Sequence, residues 1–407
     1  MRISTNTIYD LGVTQIENQE SLLLKTQQQL SSGKSVLTPA DNPIAASQAL
    51  NVQQSIDVNN QYQTNQQAAT NQLSLVSNAL SSATNLLQSV NSTVVSAGNG
   101  ALSNADKATL AQQLQQDYQQ LLSIANSDDG QGHYLFSGFQ SGVQPFVQTA
   151  NGVSYLGDSG QQLIQTNAAS RIAVNLPGNV VFQNIRNGNG AFVAQPAATN
   201  TGSGVIGQGT VVDPTALTGD NYQINFTVTT TAGVTTTTYD VVDTTTSTTL
   251  LTAQPYTSGN AITFDGMQTS ITGAPADGDQ FTVTPSANQS IFQTISNFIS
   301  ALQNPGSGTT ANTQFANELG LTLSNLGQAM NSFDGQAGVV GARINQISDS
   351  TSASNSLNIQ YQQVLSQLQD VDEAKAATDL ANYQTTLQAA EQSFQYVAGK
   401  SLFDYLS

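Results

Sequence analysis

Heptad spacing at both ends of the chain constrains its fold more than any other feature. Near the N-terminus, an isoleucine or leucine recurs every seven residues, at Ile16, Leu23, Leu30 and Leu37. Near the C-terminus, apolar residues alternate between steps of three and four, at Leu380, Tyr383, Leu387, Ala390, Phe394 and Val397. Rows with this repeat lie along one face of an α-helix and bury that face against a partner helix. We therefore expect two long terminal helices that pair with each other or with helices of neighbouring copies.

Helical signals continue through the first ~130 residues. Pro39 and Pro43 predict that the first helix ends and another begins there, because proline lacks a backbone donor and disfavours helix in the preceding residue. Apolar residues at helical spacing then run to Val94, through a Gln/Asn-rich segment that we interpret as a solvated helix. Ser103 and Asp106 resemble a capping box that opens a third helix, ending near Gly130.

The character of the sequence changes after Gly132. Asn151–Gly152 separates two short β-like segments, which predicts a hairpin, and Arg171–Val174 predicts a further strand. From residue 185 to 284, threonine dominates, and 14 of the residues from Phe226 to Thr252 are Thr. Alternation such as Tyr222–Val228 predicts strands, and we interpret this stretch as a small all-β domain inserted into a helical body.

Helices return after Pro285. The spacing predicts one helix over 291–302, another over 315–330, a bend at Gly335, Gly338 and Gly341, and a long helix from Val340 that continues into the terminal row. The predicted fold class is mainly α with inserted β, in elongated nested domains: paired, coiled-coil-like terminal helices, a helical bundle with a β-hairpin, and an outer all-β domain. The corresponding boundaries are 1–42 plus 365–407, 43–184 plus 285–364, and 185–284.

Composition excludes several classes of protein. The net charge is −17, and the chain has no Lys or Arg between Asn187 and Ala342, which argues against binding to nucleic acid or to anionic membranes. The sequence contains no cysteine, which excludes disulfides and cysteine-based sites. No stretch approaches the ~20 apolar residues of a membrane span, and the N-terminus has no apolar core of a cleavable signal.

No motif predicts catalysis, a metal or a cofactor. Gly33–Lys34–Ser35 lacks the upstream glycine of a phosphate-binding loop and follows a helix, whereas that loop precedes one. Gly202–Gly207 matches a dinucleotide fingerprint only as a string, in a loop-like context. His133 is the only histidine, so we expect it in a turn or in packing, and Asp277–Gly278–Asp279 suits a hairpin turn better than a calcium loop.

Short motifs at both ends resemble the bacterial flagellin family. The N-terminal motifs are Gln28–Lys34 and Ala40–Pro43, and the C-terminal ones are Val371–Ala374 and Thr378–Leu380. Three further segments are similar to the hook–filament junction branch of that family: Met1–Ser4, Tyr134–Phe139 with Pro145–Phe146, and the tail Ser401–Leu406. The resemblance covers about residues 1–150 and 340–407, and the Thr-rich insert carries no motif of the family.

The resemblance implies a structural, non-enzymatic role at the hook–filament junction. Such a protein is exported through the flagellar type III apparatus without a cleaved signal, polymerises through its terminal helices and templates flagellin assembly. The implied partners are other copies of the chain, the neighbouring hook-associated protein, flagellin and an export chaperone, with no cofactor. Together with the heptad rows, it predicts an assembly seam of Ile16, Leu23, Leu30, Leu37, Leu380, Tyr383, Leu387, Phe394, Val397, Leu402 and Phe403.

Two other interpretations remain open at this point. The chain could be a filament flagellin, although its tail and the Tyr134 segment favour the junction branch. In a different class, the Thr-rich insert could make the protein a surface adhesin or a carbohydrate-binding module.

Overall fold

The computed structural model describes residues 5–150 and 152–398. Long helices lie towards both ends of this described chain, and strands occupy its middle. The helices are α1 (Thr5–Ser32), α2 (Pro43–Ala97), α3 (Asn104–Ala125), α4 (Gly178–Phe182), α5 (Ile291–Gln303), α6 (Thr309–Gln369) and α7 (Glu373–Ala398). The mainly α class with an inserted β region is therefore confirmed.

The strands fall into two groups along the chain. The strands before the insert are β1 (Phe146–Thr149), β2 (Gly152–Tyr155), β3 (Leu163–Gln165), β4 (Arg171–Ala173) and β5 (Ile185–Arg186). The remaining strands are β6 (Phe192–Pro196), β7 (Val205–Ile206), β8 (Thr210–Val211), β9 (Tyr222–Thr231), β10 (Val234–Asp243), β11 (Thr248–Pro255), β12 (Ala261–Phe264), β13 (Met267–Thr272), β14 (Gln280–Pro285) and β15 (Asn288–Gln289).

The chain divides into two compact units. The terminal unit contains the described residues up to Asn65 and those from Asp349 onward, and the middle unit contains Gln66–Ser348. The terminal unit therefore holds α1, α7, the start of α2 and the end of α6. The middle unit holds the other helices and all of the strands.

The helical part of the middle unit has a core of leucines and aromatic rings. Leu73, Leu80 and Leu87 lie one heptad apart on α2 and are fully buried in this core. The helix continues through the Gln/Asn-rich segment without a break, as predicted. At the start of α3, Ser103 Oγ accepts a hydrogen bond from Asp106 N at 3.2 Å, and Asp106 Oδ2 accepts one from Ser103 N at 2.9 Å. The predicted capping box is thus confirmed.

Three short antiparallel ladders accompany this core, and one of them lies where the chain enters and leaves the insert. β1 pairs with β2, with Phe146 opposite Tyr155, which confirms the predicted hairpin. β4 confirms the strand predicted near Arg171, and it pairs with β3. β5 pairs with β15, so a two-stranded ladder stands where the chain enters and leaves the insert.

The insert is an all-β domain with its own apolar core, as predicted. Its larger sheet has the order β11-β10-β9-β14-β6, and the smaller one has the order β12-β13-β7, with β8 also paired to β13. Tyr222, Ile224 and Phe226 alternate along β9 and are buried, whereas the residues between them are only partly covered. This is the period of two that places successive side chains on opposite faces of a sheet.

Two predictions about the C-terminal helices are wrong. α6 runs without interruption from Thr309 to Gln369, through the three glycines at which a bend was predicted. Phe333, which precedes these glycines, and Val340, which lies between Gly338 and Gly341, are buried and hold this stretch against the core. The predicted long helix into the terminal row is instead divided after Gln369, and Asp372 Oδ1 caps the new helix by accepting a hydrogen bond from Lys375 N at 3.0 Å.

Candidate assembly surface

The two terminal helices, α1 and α7, pack against each other within the terminal unit. The rings of Tyr9 and Phe394 lie 4.8 Å apart between their centroids. A Cβ atom at Gly12 would come within 2.9 Å of Phe394 Cδ2, so the glycine allows the ring to approach the α1 backbone closely. The two helices that carry the heptad rows therefore contact each other.

The structure places the predicted seam residues unevenly. Leu30 is 36% exposed at the end of α1. Leu37 is half-buried, but it follows α1 in the connection to α2 and so is not part of a helix face. Val397 lies in α7, and Leu402 and Phe403 fall outside the described residues. The half-buried seam residues on the two helices are Ile16, Leu23, Leu380, Tyr383, Leu387 and Phe394.

Sequence reasoning missed three residues of this helix pair. Tyr9 lies one heptad before Ile16 and contacts Phe394, and Ala376 lies one heptad before Tyr383 and is buried. The same repeat could therefore have found both. Thr26 is also buried, and its hydroxyl donates to Leu22 O at 2.9 Å. A polar residue gives no apolar signal, so nothing in the pattern indicated its burial.

The terminal unit buries little apolar side-chain volume. Within its described part, the buried hydrophobic residues are Ala45, Ala49, Ile56 and Ala376. The middle unit, by contrast, buries many leucines and phenylalanines. Because burial of large apolar side chains is the main favourable term in folding, the terminal helices gain little stability from their own contacts.

The same unit exposes many large apolar side chains. Leu11 is 64% exposed, Ile44 73% and Leu50 72%. The exposed set on its four helical segments is Tyr9, Leu11, Leu22, Leu24, Leu30, Ile44, Leu50, Val58, Leu357, Ile359, Val364 and Tyr396. Large exposed apolar surfaces are typical of sites where proteins bind partners.

The connection between α1 and α2 is held by one carboxylate. Asp41 Oδ1 lies 2.6 Å from Lys25 Nζ, and Asp41 Oδ2 accepts hydrogen bonds from Thr38 N and Thr38 Oγ1 at 2.8 and 3.0 Å. The hydrogen bond from Lys25, followed by those from Thr38, lowers the pKa of Asp41 to about 2. Asn42 Oδ1 then caps α2 by accepting from Ala45 N at 3.1 Å.

Backbone hydrogen bonds tie this connection to the one between α6 and α7. Ser35 N donates to Gln369 O at 2.6 Å, and Val371 N donates to Gly33 O at 3.0 Å. Gly33 has φ +70°, a left-handed conformation that favours glycine. The α1–α2 connection and the α6–α7 connection are therefore hydrogen-bonded to each other, and α1 and α7 both adjoin this point.

Groups that could carry chemistry serve turns instead. His133 Nδ1 lies 3.0 Å from Asp129 Oδ2 in an exposed turn. Asp279 accepts hydrogen bonds from the backbone N–H groups of Thr201, Gly202 and Ala276. The Gly202–Gly207 stretch contains β7 and is followed by β8, not by a helix.

The part of the chain that the structure describes contains neither a metal-binding cluster nor a helix suited to span a membrane. No cluster of three or more His, Cys, Asp or Glu side chains there could hold a metal ion. None of the helices within residues 5–150 and 152–398 has the length and apolar character needed to span a membrane.

Three regions match known protein families. Residues 3–141 match the bacterial flagellin N-terminal helical region, and residues 323–405 match the bacterial flagellin C-terminal helical region. Residues 196–285 match the D2-like domain of flagellar hook-associated protein 1, an assignment that the sequence motifs did not supply.

Curated relatives and solved structures point to one branch of flagellar proteins. Flagellar hook-associated protein 3 of Salmonella typhimurium is 38% identical over 185 residues, which is 46% of this chain and 58% of that protein. The Escherichia coli protein of the same name is 32% identical over 185 residues, which is again 46% of this chain and 58% of that protein. The chain thus aligns with little more than half the length of these curated relatives.

The structural matches extend further. Flagellar hook-associated protein 3 of Legionella pneumophila is 32% identical with a TM-score of 0.74, covering 78% of this chain and 98% of that one. A structure of the flagellar junction protein FlgL from the same organism is 31% identical with a TM-score of 0.72, covering 79% and 100%. These matches do not favour a filament flagellin or an adhesin. The chain belongs to the flagellin-type family of hook-associated protein 3 (FlgL) proteins, which are structural, non-enzymatic components of the bacterial flagellum.

Proposed function

We propose that this chain is the adaptor at the hook–filament junction, which assembles through its terminal helices and provides the layer on which flagellin polymerises. One observation carries the proposal: among its described residues, the terminal unit exposes large apolar side chains, and the hydrophobic residues that it buries are three alanines and Ile56. A surface of this kind gains its stability from contacts between molecules. The names of the relatives, flagellar hook-associated protein 3 and flagellar junction protein FlgL, support a location at the hook–filament junction.

The energy of assembly would come from covering the terminal helices. Burying one leucine-sized side chain contributes about 1.5–3 kcal/mol, offset by the entropy of ordering the helix. The twelve exposed apolar residues of the terminal unit therefore leave apolar surface that contacts between molecules could bury. We propose that Ile16, Leu23, Leu30, Leu380, Tyr383, Leu387, Phe394 and Val397, with Leu37, Leu402 and Phe403, belong to this surface.

The partners follow from the same proposal. Copies of this chain would contact one another, the neighbouring hook-associated protein would lie on one side, and flagellin on the other. Before assembly, an export chaperone would cover the terminal helices, and the chain would be secreted through the type III apparatus. We also retain the three-layer division, with 1–42 plus 365–407 innermost, 43–184 plus 285–364 next, and 185–284 outermost.

A charge placed in the seam tests the proposal. Leu387 is half-buried on α7, and Leu387→Asp would bring an unpaired carboxylate into the assembled surface. We expect the variant to keep the denaturation profile of the middle unit but not to enter flagella. Val234→Asp is the matched control, because Val234 is 67% exposed at the tip of the insert.

The assay uses a strain that lacks this chain, complemented with each variant. Electron microscopy of the cells and measurement of flagellin in the medium give the readouts. Hooks without filaments, together with shed flagellin, are expected for the deletion and for Leu387→Asp but not for Val234→Asp. Normal filaments in the deletion strain would refute the junction role, and normal filaments with Leu387→Asp alone would refute the seam.

A further inference from the structure

The middle unit contains two apolar cores that share no buried residue. One core consists of helices α2, α3, α5 and α6 with the short strands around them, and the other lies between the sheets of the insert. Where the insert faces α6, buried side chains are polar: Asn317 is 4% exposed and Asn325 5% exposed. The way these two asparagines are satisfied shows how the insert is held.

Both asparagines bind main-chain atoms of the insert and of the segment leading into it. Asn317 Oδ1 accepts a hydrogen bond from Ile206 N at 2.9 Å, and its Nδ2 donates to Gly204 O at 3.2 Å. Asn325 Oδ1 accepts from Gly188 N at 2.7 Å. Next to it, Ser324 Oγ donates to Gly188 O at 2.6 Å. A buried amide group would be costly without such partners, so these contacts require the insert to lie against α6.

Two further side chains extend this contact towards the start of α6. Thr310 Oγ1 donates to Thr201 O at 3.1 Å, and Gln314 Nε2 donates to Ala198 O at 3.4 Å. Both bonds are exposed to solvent. We call Asn317, Ser324 and Asn325, whose hydrogen bonds to the insert are buried or half-buried, the docking stripe. Its acceptors and donors on the other side are all backbone groups.

The covalent connection to the insert is narrow. β5 and β15 form a ladder of two residue pairs, and Arg186 Nη1 donates to Ser286 O at 2.6 Å. Asn187 N donates to Ala287 O at 3.0 Å and Ser286 N to Ala191 O at 2.9 Å, so the pairing continues to β6 and β14. A connection of only two strands restrains the separation of its chain segments more than it restrains rotation of the domain beyond it. Hydrogen bonds, in contrast to apolar contacts, are directional, and the two that Asn317 makes with Gly204 and Ile206 lie far from the ladder in sequence.

We propose that the insert is a separately folded domain whose orientation is set by the docking stripe on α6 and which can detach from α6 as a unit, pivoting at the β5–β15 ladder. Detachment exposes Asn317, Asn325 and their backbone partners to water, which replaces the lost hydrogen bonds. Opening this polar contact therefore costs much less than opening either apolar core. The proposal concerns the middle unit alone and does not depend on the assembly role of the terminal helices.

Hydrogen exchange of the full chain tests the proposal. In the variant Asn317→Ala/Asn325→Ala, the amides of Gly188 and Ile206 lose their acceptors. We expect these two amides to exchange at least tenfold faster, while amides of β9 in the insert and of α2 around Leu80 keep their rates. Thr310→Ala/Gln314→Ala is the matched control, because its freed carbonyl groups are already accessible to water, and we expect changes below about twofold there.

A distance measurement supplies an independent readout. The chain has no cysteine, so Thr236→Cys on the insert and Gln115→Cys on α3 accept spin labels at two defined positions, both exposed. The distance distribution should broaden in the Asn317→Ala/Asn325→Ala background and not in the control. An unchanged distribution with unchanged exchange would show that other contacts orient the insert. Equal acceleration of the β9 and α2 amides would show that insert and helices unfold as one unit. Either outcome overturns the proposal.

Discussion

Alanine in place of the glycines inside α6 should stabilise this protein. Gly335, Gly338 and Gly341 lie within the uninterrupted helix, and none has a left-handed backbone conformation. A Cβ atom built on any of the three meets nothing within 4 Å. The helix therefore bears the entropic cost of these glycines without a steric reason for them within the chain.

The size of the effect follows from helix propensity. Glycine inside a helix is less favourable than alanine by about 0.5–1 kcal/mol per residue, so the triple alanine variant should be more stable by about 1.5–3 kcal/mol. Urea unfolding of the full chain, followed by helical circular dichroism, measures the difference. The midpoint of the transition that reports the middle unit should rise without a change in its slope.

A contrasting glycine serves as the control. Gly188 has φ +61°, and a Cβ there would lie 2.3 Å from Phe192 O, so Gly188→Ala should lower stability. If the triple alanine variant were no more stable than the wild type, the helix through residues 335–341 would have to bend in solution, and our account of α6 would be wrong.

Two further predictions concern the helix connection and the core. Because the pKa of Asp41 is lowered to about 2, its contribution to stability is fully present above the ordinary pKa of a carboxyl group and is lost as the pH falls through about 2. Asp41→Asn should abolish that pH dependence in the α1–α2 connection. The measurement is the amide chemical shift of Thr38 by NMR, as the pH is lowered from about 5 to about 2. Phe182 packs its ring 5.3 Å from those of Phe146 and Phe333, and Phe182→Ala should cost about 3–5 kcal/mol in urea unfolding. A loss below about 1 kcal/mol would contradict its place in the core.

Local signals in the sequence predicted most of the elements correctly. The capping box at Ser103, the hairpin at β1 and β2, and the strands of the insert all depend on interactions within a few residues, so their patterns can be read directly. The heptad rows indicated that both terminal helices pack against a partner helix and left open whether that partner is in the same chain. Extending the rows by one repeat would have added Tyr9 and Ala376. Leu37 shows the limit, since the row continues past the last helical residue of α1.

The sequence by itself determined where most helices, strands and capped turns form and which end segments carry apolar faces, because hydrophobic period and turn chemistry act over short distances. Only the tertiary structure decided whether α6 bends at its glycines, since burial of Phe333 and Val340 outweighs local propensity there. Contacts between distant segments decided how the helix connections and the insert are held. Gln369 and Val371 form hydrogen bonds with residues that follow α1, and Asn317 and Asn325 form hydrogen bonds with the backbone of the insert. No pattern in the sequence predicts such pairs, because almost every residue has the same backbone N–H and C=O groups.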